Sequence, residues 1–334
     1  MVYSNLILPF VKSERNRNIC RIAITLFGQS VWFLLLSRTY SAFKVYDRIF
    51  YFLFIWCLYM FIAVFFIKVF NLFIKFEPKR MVSISLVVTF LIVVYGSIAP
   101  FFPVITRYKI ETTKDVNAKI ALITDLHIGD IMMRPYTLQK AMDKIKKEDV
   151  DYLFIGGDII EGNVGSFDRY KDIFLNSGIE TYAVLGNHDY YRKEYMDGVR
   201  KFEEVNIKVL MDEYVNLDEF VLIGREDKTN SGRAKLADIV KGVDKTRFTL
   251  LLDHQPQFFD EAVEENIDLY LAGHTHNGQI FPFNFVVKNI YEKPYGLLKK
   301  QNSTLITSSG IGGWGPPIKI MSPVEIVIAE IVSN

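Results

Sequence analysis

All five histidines of this 334-residue chain fall within a few short clusters: Asp125-Leu126-His127, Gly157-Asp158, Gly186-Asn187-His188-Asp189, His254 and Gly273-His274-Thr275-His276. Histidines with ordinary core or surface duties would scatter over helices and hydrophobic stretches as well, so this confinement points to a shared chemical task. Neutral imidazoles and carboxylates suit manganese, iron or zinc, and a carboxylate between two cations can bridge them while offsetting part of their repulsion. Two cations ~3.5–4 Å apart can hold a hydroxide and clamp a phosphoryl group for in-line attack. Taken singly, Asp-x-His and Gly-Asp are weak signals, Gly-Asn-His-Asp is stronger, and Gly-His-Thr-His after an apolar run is stronger still. A lone histidine is more often structural, but His254 gains weight from its place after one apolar run and before the last histidine pair.

The elements that must position these residues are short β-rich runs at 120–124, 152–155, 182–185, 248–252 and 269–272. Each stops directly before one cluster, and strand ends are where α/β domains place their chemistry. Helix-like stretches lie between them at 135–147, 194–204 and 256–265, with Pro135 and Pro256 suited to helical first turns. The alternation of strands and helices predicts a mixed α/β domain rather than a bundle.

In order and spacing the clusters resemble the motifs of the calcineurin-like metallophosphoesterase superfamily: D-x-H, G-D, G-N-H-D or G-N-H-E, a lone H, and G-H-x-H. The resemblance spans roughly residues 118–331. It implies a four-layer α/β/β/α sandwich and hydrolysis of a phosphoester or pyrophosphate by a dinuclear metal-bound hydroxide. It also implies that Asp125, His127 and His276 bind a first divalent metal, that Asp158 bridges, and that Asn187, His254 and His274 bind a second. His188 would be catalytic without ligating, acting on a phosphate oxygen or the leaving group, with Asp125 orienting it. The stretches Val184 to Tyr190, Gly224 to Asp227, His254-Gln255-Pro256, Gly273 to Gln279 and Ser309 to Pro316 look like the bacterial membrane-associated, YkuE/YaeI-like branch. Asn277 departs from the glycine expected after the second histidine and is a candidate substrate contact, as is Arg225, since arginine recognises phosphate well. The glycines at 310–315 are expected near the cleft. They are not a P-loop, because no Gly-Lys-Ser/Thr follows.

Charge divides the chain near residue 106. The first 106 residues hold eleven Lys or Arg against three Asp or Glu, a net +8, and the remainder hold 28 against 35, a net −7. The acidic part argues against a nucleic-acid partner and hence against a nuclease, and the basic part suits anionic lipid headgroups. Cys20 and Cys57, the two cysteines, both precede residue 106, so any metal in the later part must use nitrogen and oxygen ligands.

A bilayer core of ~30 Å takes about 20 apolar helical residues. The uncharged runs at 49–67 and 81–105 meet that need, and 22–37 is a shorter third candidate, so two or three transmembrane helices are expected before the α/β domain. The implied organisation is a membrane region at 1–106, a linker at 107–118 and the phosphoesterase domain at 119–334. With three spans the positive residues divide eight against seven, which slightly favours an extracytoplasmic catalytic domain. The expected substrate is a phosphorylated small molecule or a lipid-linked, membrane-surface phosphoester, with membrane lipids as neighbours. The alternatives are a soluble-nucleotide phosphodiesterase, a nuclease and a catalytically silent metal-binding regulator.

Overall fold

The computed structural model describes residues 13–14, 44–129, 133–192 and 194–334. The chain divides into two units, Met1–Ser97 and Ile98–Asn334. In the first, Lys44–Phe70 forms helix α1 and Pro78–Ile98 forms α2. Their stretches Tyr51–Phe70 and Pro78–Phe101 are long and apolar enough to cross a membrane. Pro78 opens α2, where a missing N–H costs nothing, and Pro100 and Pro103 stop the α-helix short of the expected 105 by way of a 3₁₀ turn at Ala99–Phe101. The third candidate span, 22–37, lies outside the described residues.

The expected linker at 107–118 is instead largely structure. Val104–Thr112 forms strand β1, paired parallel with β12 (Glu325–Ser333) along its whole length, from Val104 opposite Glu325 to Thr112 opposite Ser333. Arg107, Lys109 and Glu111 alternate with Tyr108 and the buried Ile110. Charges at every second position suit an edge strand, and they are also what makes the segment look like a linker.

The second unit continues with β2 (Asn117–Ile123), α3 (Pro135–Lys147), β3 (Tyr152–Gly156), α4 (Lys171–Leu175), β4 (Glu180–Val184), α5 (Asn187–Tyr190), α6 (Tyr195–Glu203) and β5 (Ile207–Val209). It then forms β6 (Glu213–Asn216), β7 (Val221–Gly224), α7 (Leu236–Ile239), β8 (Thr249–Leu252), α8 (Phe259–Glu264), β9 (Leu269–Ala272), α9 (Phe283–Ile290), β10 (Gly296–Lys300) and β11 (Ser303–Thr307), ahead of β12. Two six-stranded mixed sheets result, ordered β1-β12-β2-β3-β4-β5 and β10-β11-β9-β8-β7-β6. Each of the five expected strands is present.

The core explains the layering. Ile120 and Leu122 of β2 join Phe154, Val184, Leu250, Leu252, Leu269 and Leu271 in one cluster contributed by both sheets. Ala121 and Ile123, one residue out of phase, join Leu138, Ala141, Met142 and Ile145 of α3 and Phe202 of α6. On the second sheet Val221, Ile223, Leu251 and Tyr270 pack with Leu236 of α7 and Phe259 and Ala262 of α8. Successive strand residues point to opposite faces, so strands covered on both sides read as continuous apolar runs. This is the expected four-layer α/β/β/α order. Phe154 is fully buried at its centre, and truncating such a residue to alanine typically costs about 3–5 kcal/mol. β2, β3, β4 and β5 run parallel, as do β7, β8 and β9. Their C-terminal loops therefore open on common edges, where the histidine clusters lie.

Candidate metal centre

Sharp turns at the strand ends bring the clusters together. Asp125 (φ 58°), His127 (46°), Asp158 (49°), His274 (71°) and His276 (49°) all adopt left-handed backbone conformations. Non-glycine residues seldom do so, and such strain persists only where the surroundings over-determine it. Gly157, also at positive φ, is required by space as well: a Cβ there would stand 2.7 Å from His254 Nδ1. A Cβ on Gly310 would stand 2.8 Å from that of Asp125, which places the C-terminal glycine loop against the site as expected.

The side chains form three overlapping groups whose ligand atoms lie within 4.8 Å of one another: Asp125, His127 and His276; His127, Asp158 and His188; and Asp158, His254 and His274. Asp158 Oδ2 lies 3.7 Å from His127 Nε2 and 3.3 Å from His254 Nε2, so the carboxylate faces both histidines. Asn187 Oδ1 lies 3.1 Å from His254 Nε2. All seven expected ligands are thus brought together.

Neighbouring hydrogen bonds aim each group. His254 Nδ1 donates to the Gly156 carbonyl at 2.8 Å, which turns Nε2 towards the site. Asn187 Nδ2 donates to the Tyr191 hydroxyl at 2.9 Å and thereby turns its oxygen towards His254. Asp125 is held by the Thr124 hydroxyl at 2.8 Å and the His274 N–H at 3.1 Å. Asp189, fully buried, accepts from the N–H groups of Ile159, Ile160 and Gly186, and so ties the Asn187 turn to the Asp158 loop. Such outer partners orient metal-binding side chains and raise their basicity.

Glu161 is the residue the sequence reading misses. Its Oε2 lies 3.0 Å from His127 Nδ1 and 2.6 Å from His188 Nδ1. The structure therefore corrects the expected orienting role of Asp125: Glu161, not Asp125, holds His188. The available signal was its place three residues after Asp158, one turn of chain further along the same loop. His188 also donates its backbone N–H to Asp158 Oδ1 at 2.8 Å, and its ring stays partly exposed.

Arg225 does not reach the cleft. It follows β7 directly, its backbone N–H bonds to Leu252, and its guanidinium turns inward to Glu261 (2.7 Å) and the Ala234 carbonyl (3.2 Å), packed over Phe258. The expected substrate contact is thus a buried guanidinium paired with a partly exposed carboxylate. Asn277 adopts the left-handed conformation a glycine would (φ 48°), and its amide donates to the Met321 carbonyl at 3.3 Å. Its side chain is engaged with that loop rather than presented to a substrate.

The electrostatics fit a cation pair. Burial pushes the Asp125 carboxyl up, and the Asp158 charge adds to this against the opposing pull of His254 and His127. Burial acts the same way on Asp158, yet His254, His127 and His188 hold it well below the usual carboxylate range. Burial opposes protonation of His127 and His254, but the carboxylates around them raise both. His274 falls to about 3 through burial and the His254 charge, and His276 falls well below its usual value through burial and the His127 and Lys319 charges. His127 is thus raised and its neighbour His276 lowered, and His254 is raised and its neighbour His274 lowered. His127 Nε2 and His276 Nε2 face each other at 3.3 Å and His254 Nε2 and His274 Nδ1 at 3.1 Å, contacts that need a cation or proton between them. A donor set of imidazoles, carboxylates and one amide oxygen fits a pair of divalent transition ions.

A family description for calcineurin-like phosphoesterases matches residues 118–278. A protein of Aquifex aeolicus named as an uncharacterized metallophosphoesterase is 30% identical over 252 residues, covering 71% of this chain and 95% of that protein. One from Campylobacter jejuni with a similar name is 34% identical over 263 residues, covering 75% and 69%. A Danio rerio protein named as a transmembrane protein with a metallophosphoesterase domain is 24% identical over 270 residues, covering 74% and 62%. With its two-sheet fold and its His/Asp groups, the chain belongs to the calcineurin-like phosphoesterase family and is a metallophosphoesterase, a hydrolase of phosphoester bonds.

Proposed function

We propose that this chain is a membrane-anchored phosphoesterase that holds two divalent cations and acts on a phosphoester or pyrophosphate at the membrane surface. The observation that carries the reading is the place of Asp158 in two groups, one with His127 and His188 and one with His254 and His274, and the Glu161 carboxylate that fixes the His188 ring. Asp125, His127 and His276 would hold one cation, Asn187, His254 and His274 the other, and Asp158 both. When bound, the pair supplies Lewis-acid polarisation of a phosphoryl oxygen and lowers the pKa of coordinated water. His188 turns Nε2 towards the substrate because its Nδ1–H donates to Glu161, and an imidazolium held this way donates from Nε2. It can stabilise negative charge on a phosphoryl oxygen or give its proton to the departing oxygen. Glu161 keeps that ring in one orientation and sets the Nε2 of His127 towards the site.

The two apolar helices that precede β1 support anchoring, as does the printed name of the Danio rerio relative. The placement of the catalytic unit on the extracytoplasmic side is part of the same proposal and rests on the charge balance of the flanks. The full chain in nanodiscs, assayed with and without chelator, tests the reading on lipid phosphates, lipid pyrophosphates and a chromogenic soluble phosphodiester. Chelator-sensitive turnover that favours the lipid substrates is expected. Turnover of soluble phosphodiesters alone would overturn the membrane-surface part, and no turnover of any would overturn the activity.

A further inference from the structure

The segment that carries His276 also carries an apolar surface that stays largely exposed. α9 has no buried residue, although Phe283, Val286, Val287 and Ile290 fall at the spacing of a single helical stripe with Phe285 beside it. Phe285, Val286 and Ile290 are 55%, 51% and 66% exposed. An amphipathic helix normally turns such a stripe onto a core.

Two further exposed apolar side chains hang on the same segment. Gln279 grips Trp314 at both backbone groups, Nε2 to the carbonyl at 2.8 Å and Oε1 from the N–H at 3.2 Å. Asn277 holds the Met321 carbonyl, and the Ser322 hydroxyl donates to the His276 carbonyl at 2.6 Å. α9 itself is fastened close to the ligands. A Cβ on Gly278 would stand 2.5 Å from the Phe283 carbonyl carbon, and the Tyr291 ring that ends the helix lies 6.0 Å from the His274 ring.

We propose that α9, with Trp314 and Met321, is a lipid-docking surface that seats the metal centre at the acyl–headgroup boundary of a bilayer. The proposal rests on the membrane-surface reading above and deepens it by naming the surface that meets the lipid. Three features favour a lipid leaflet as occupant. The chain brings its own bilayer-length helices, and only five residues separate the end of α2 at Ile98 from the start of β1 at Val104. α9 carries Lys288 and no acid, which suits anionic headgroups. Its eight residues span about 12 Å, far too little for the ~800 Å² per partner of a stable protein interface, whereas interfacial helices of modest area bind lipid.

The test uses the full chain with Cys20→Ser and Cys57→Ser, reconstituted in vesicles of phosphatidylcholine and phosphatidylglycerol. An environment-sensitive nitrobenzoxadiazole label is placed at Ile290→Cys or, as control, at the exposed Lys241→Cys. Doxyl-labelled lipid should quench the label at 290 and leave that at 241 at its aqueous baseline. Equal, weak quenching at both would overturn the proposal. So would a label at 290 that is shielded from lipid but shifts with protein concentration, since the occupant would then be a second copy. The double variant Phe285→Ser/Ile290→Ser should turn over a bilayer-embedded lipid phosphate about tenfold more slowly, with soluble phosphodiester turnover unchanged. Quenching at 290 without turnover of any lipid phosphate would sink the substrate reading and leave the docking surface standing. Turnover of lipid phosphate with a dry label at 290 would do the reverse.

Discussion

Glu161 holds His188, with its Oε2 2.6 Å from the ring Nδ1, and the same oxygen lies 3.0 Å from His127 Nδ1. A single carboxylate thus links an expected ligand to the residue expected to act on the substrate. Burial alone would raise its pKa, but the two imidazoles bring it down to about 2 from an ordinary 4.5. Glu161→Gln should lower kcat by about 10- to 100-fold, the usual consequence of losing such a partner. The pairing contributes stability that is complete above about 4.5 and lost as pH falls through about 2. The difference in Tm between wild type and Glu161→Gln should therefore shrink over that window. An unaltered kcat would mean that His188 needs no fixed orientation.

His188 and Asp158 should fail in different ways. His188→Ala is expected to keep both metals and lose about 10²- to 10³-fold in rate, as when one charge-stabilising donor is removed. Asp158→Ala is expected to lose metal itself. Elemental analysis beside single-turnover rates separates the two, and equal loss of metal in both would erase the division between ligand and catalyst.

Metal loading should release protons. In the metal-free centre His127 and His254 are raised above their ordinary values, after burial's opposing effect, by the carboxylates they face. A divalent ion must displace those protons, so apparent affinity should rise with pH. Calorimetric titration in two buffers of different ionisation enthalpy measures the release, and a heat independent of buffer would contradict it. Chelation should abolish phosphodiesterase activity and manganese should restore it.

Arg225→Ala should cost stability rather than substrate affinity. Its guanidinium is buried against Glu261, whose side chain is 40% exposed, and Asp253 keeps a second partner in Arg233. Screening at Glu261 reduces the usual penalty for breaking a buried pair to about 1–3 kcal/mol. Denaturant unfolding should show that loss with KM nearly unchanged. A raised KM without a drop in stability would put the arginine back at the substrate.

Lys319 should fasten the glycine loop under Asp125. Its Nζ donates to the carbonyls of Ser309, Gly310 and Pro323 at 2.9, 2.7 and 3.2 Å. Lys319→Met orphans these acceptors and should cost about 2–4 kcal/mol near neutral pH. Burial lowers the lysine to about 7 from 10.5, against the opposing charges of Asp125 and Glu325. The unfolded chain therefore binds the extra proton between those values, and the wild type's margin over the variant should widen as pH rises from about 7 towards 10.5. A margin independent of pH would show the ammonium to be retained.

The strands and the ligand groups were legible because both depend on local pattern. Runs such as 152–155 are apolar on both faces, and each stops at a residue type that chemistry demands. β1 was not legible: Arg107, Lys109 and Glu111 mask its alternation, and its partner β12 lies more than two hundred residues away. Glu161 was hidden for a different reason. A glutamate after Asp158-Ile-Ile offers only its spacing as a signal until the turn at Asp158 brings it beside His127 and His188. Arg225 misled because arginine recognises phosphate well, whereas its place directly after β7 turns the side chain inward.

The position of β12 between β1 and β2 also sets a clock on biosynthesis. Both flanking strands leave the ribosome early, yet β1 has no native neighbour, and β2 has β3 alone, until residues 325–333 have been made. At about 5–20 residues per second, the 213 positions from Thr112 to Glu325 take about 10–40 s. During that interval Val104–Thr112 waits as an unpaired edge behind two apolar helices already made. The first sheet is therefore completed late in synthesis, and the nascent chain is most exposed to mispairing at the strand that directly follows the two apolar helices.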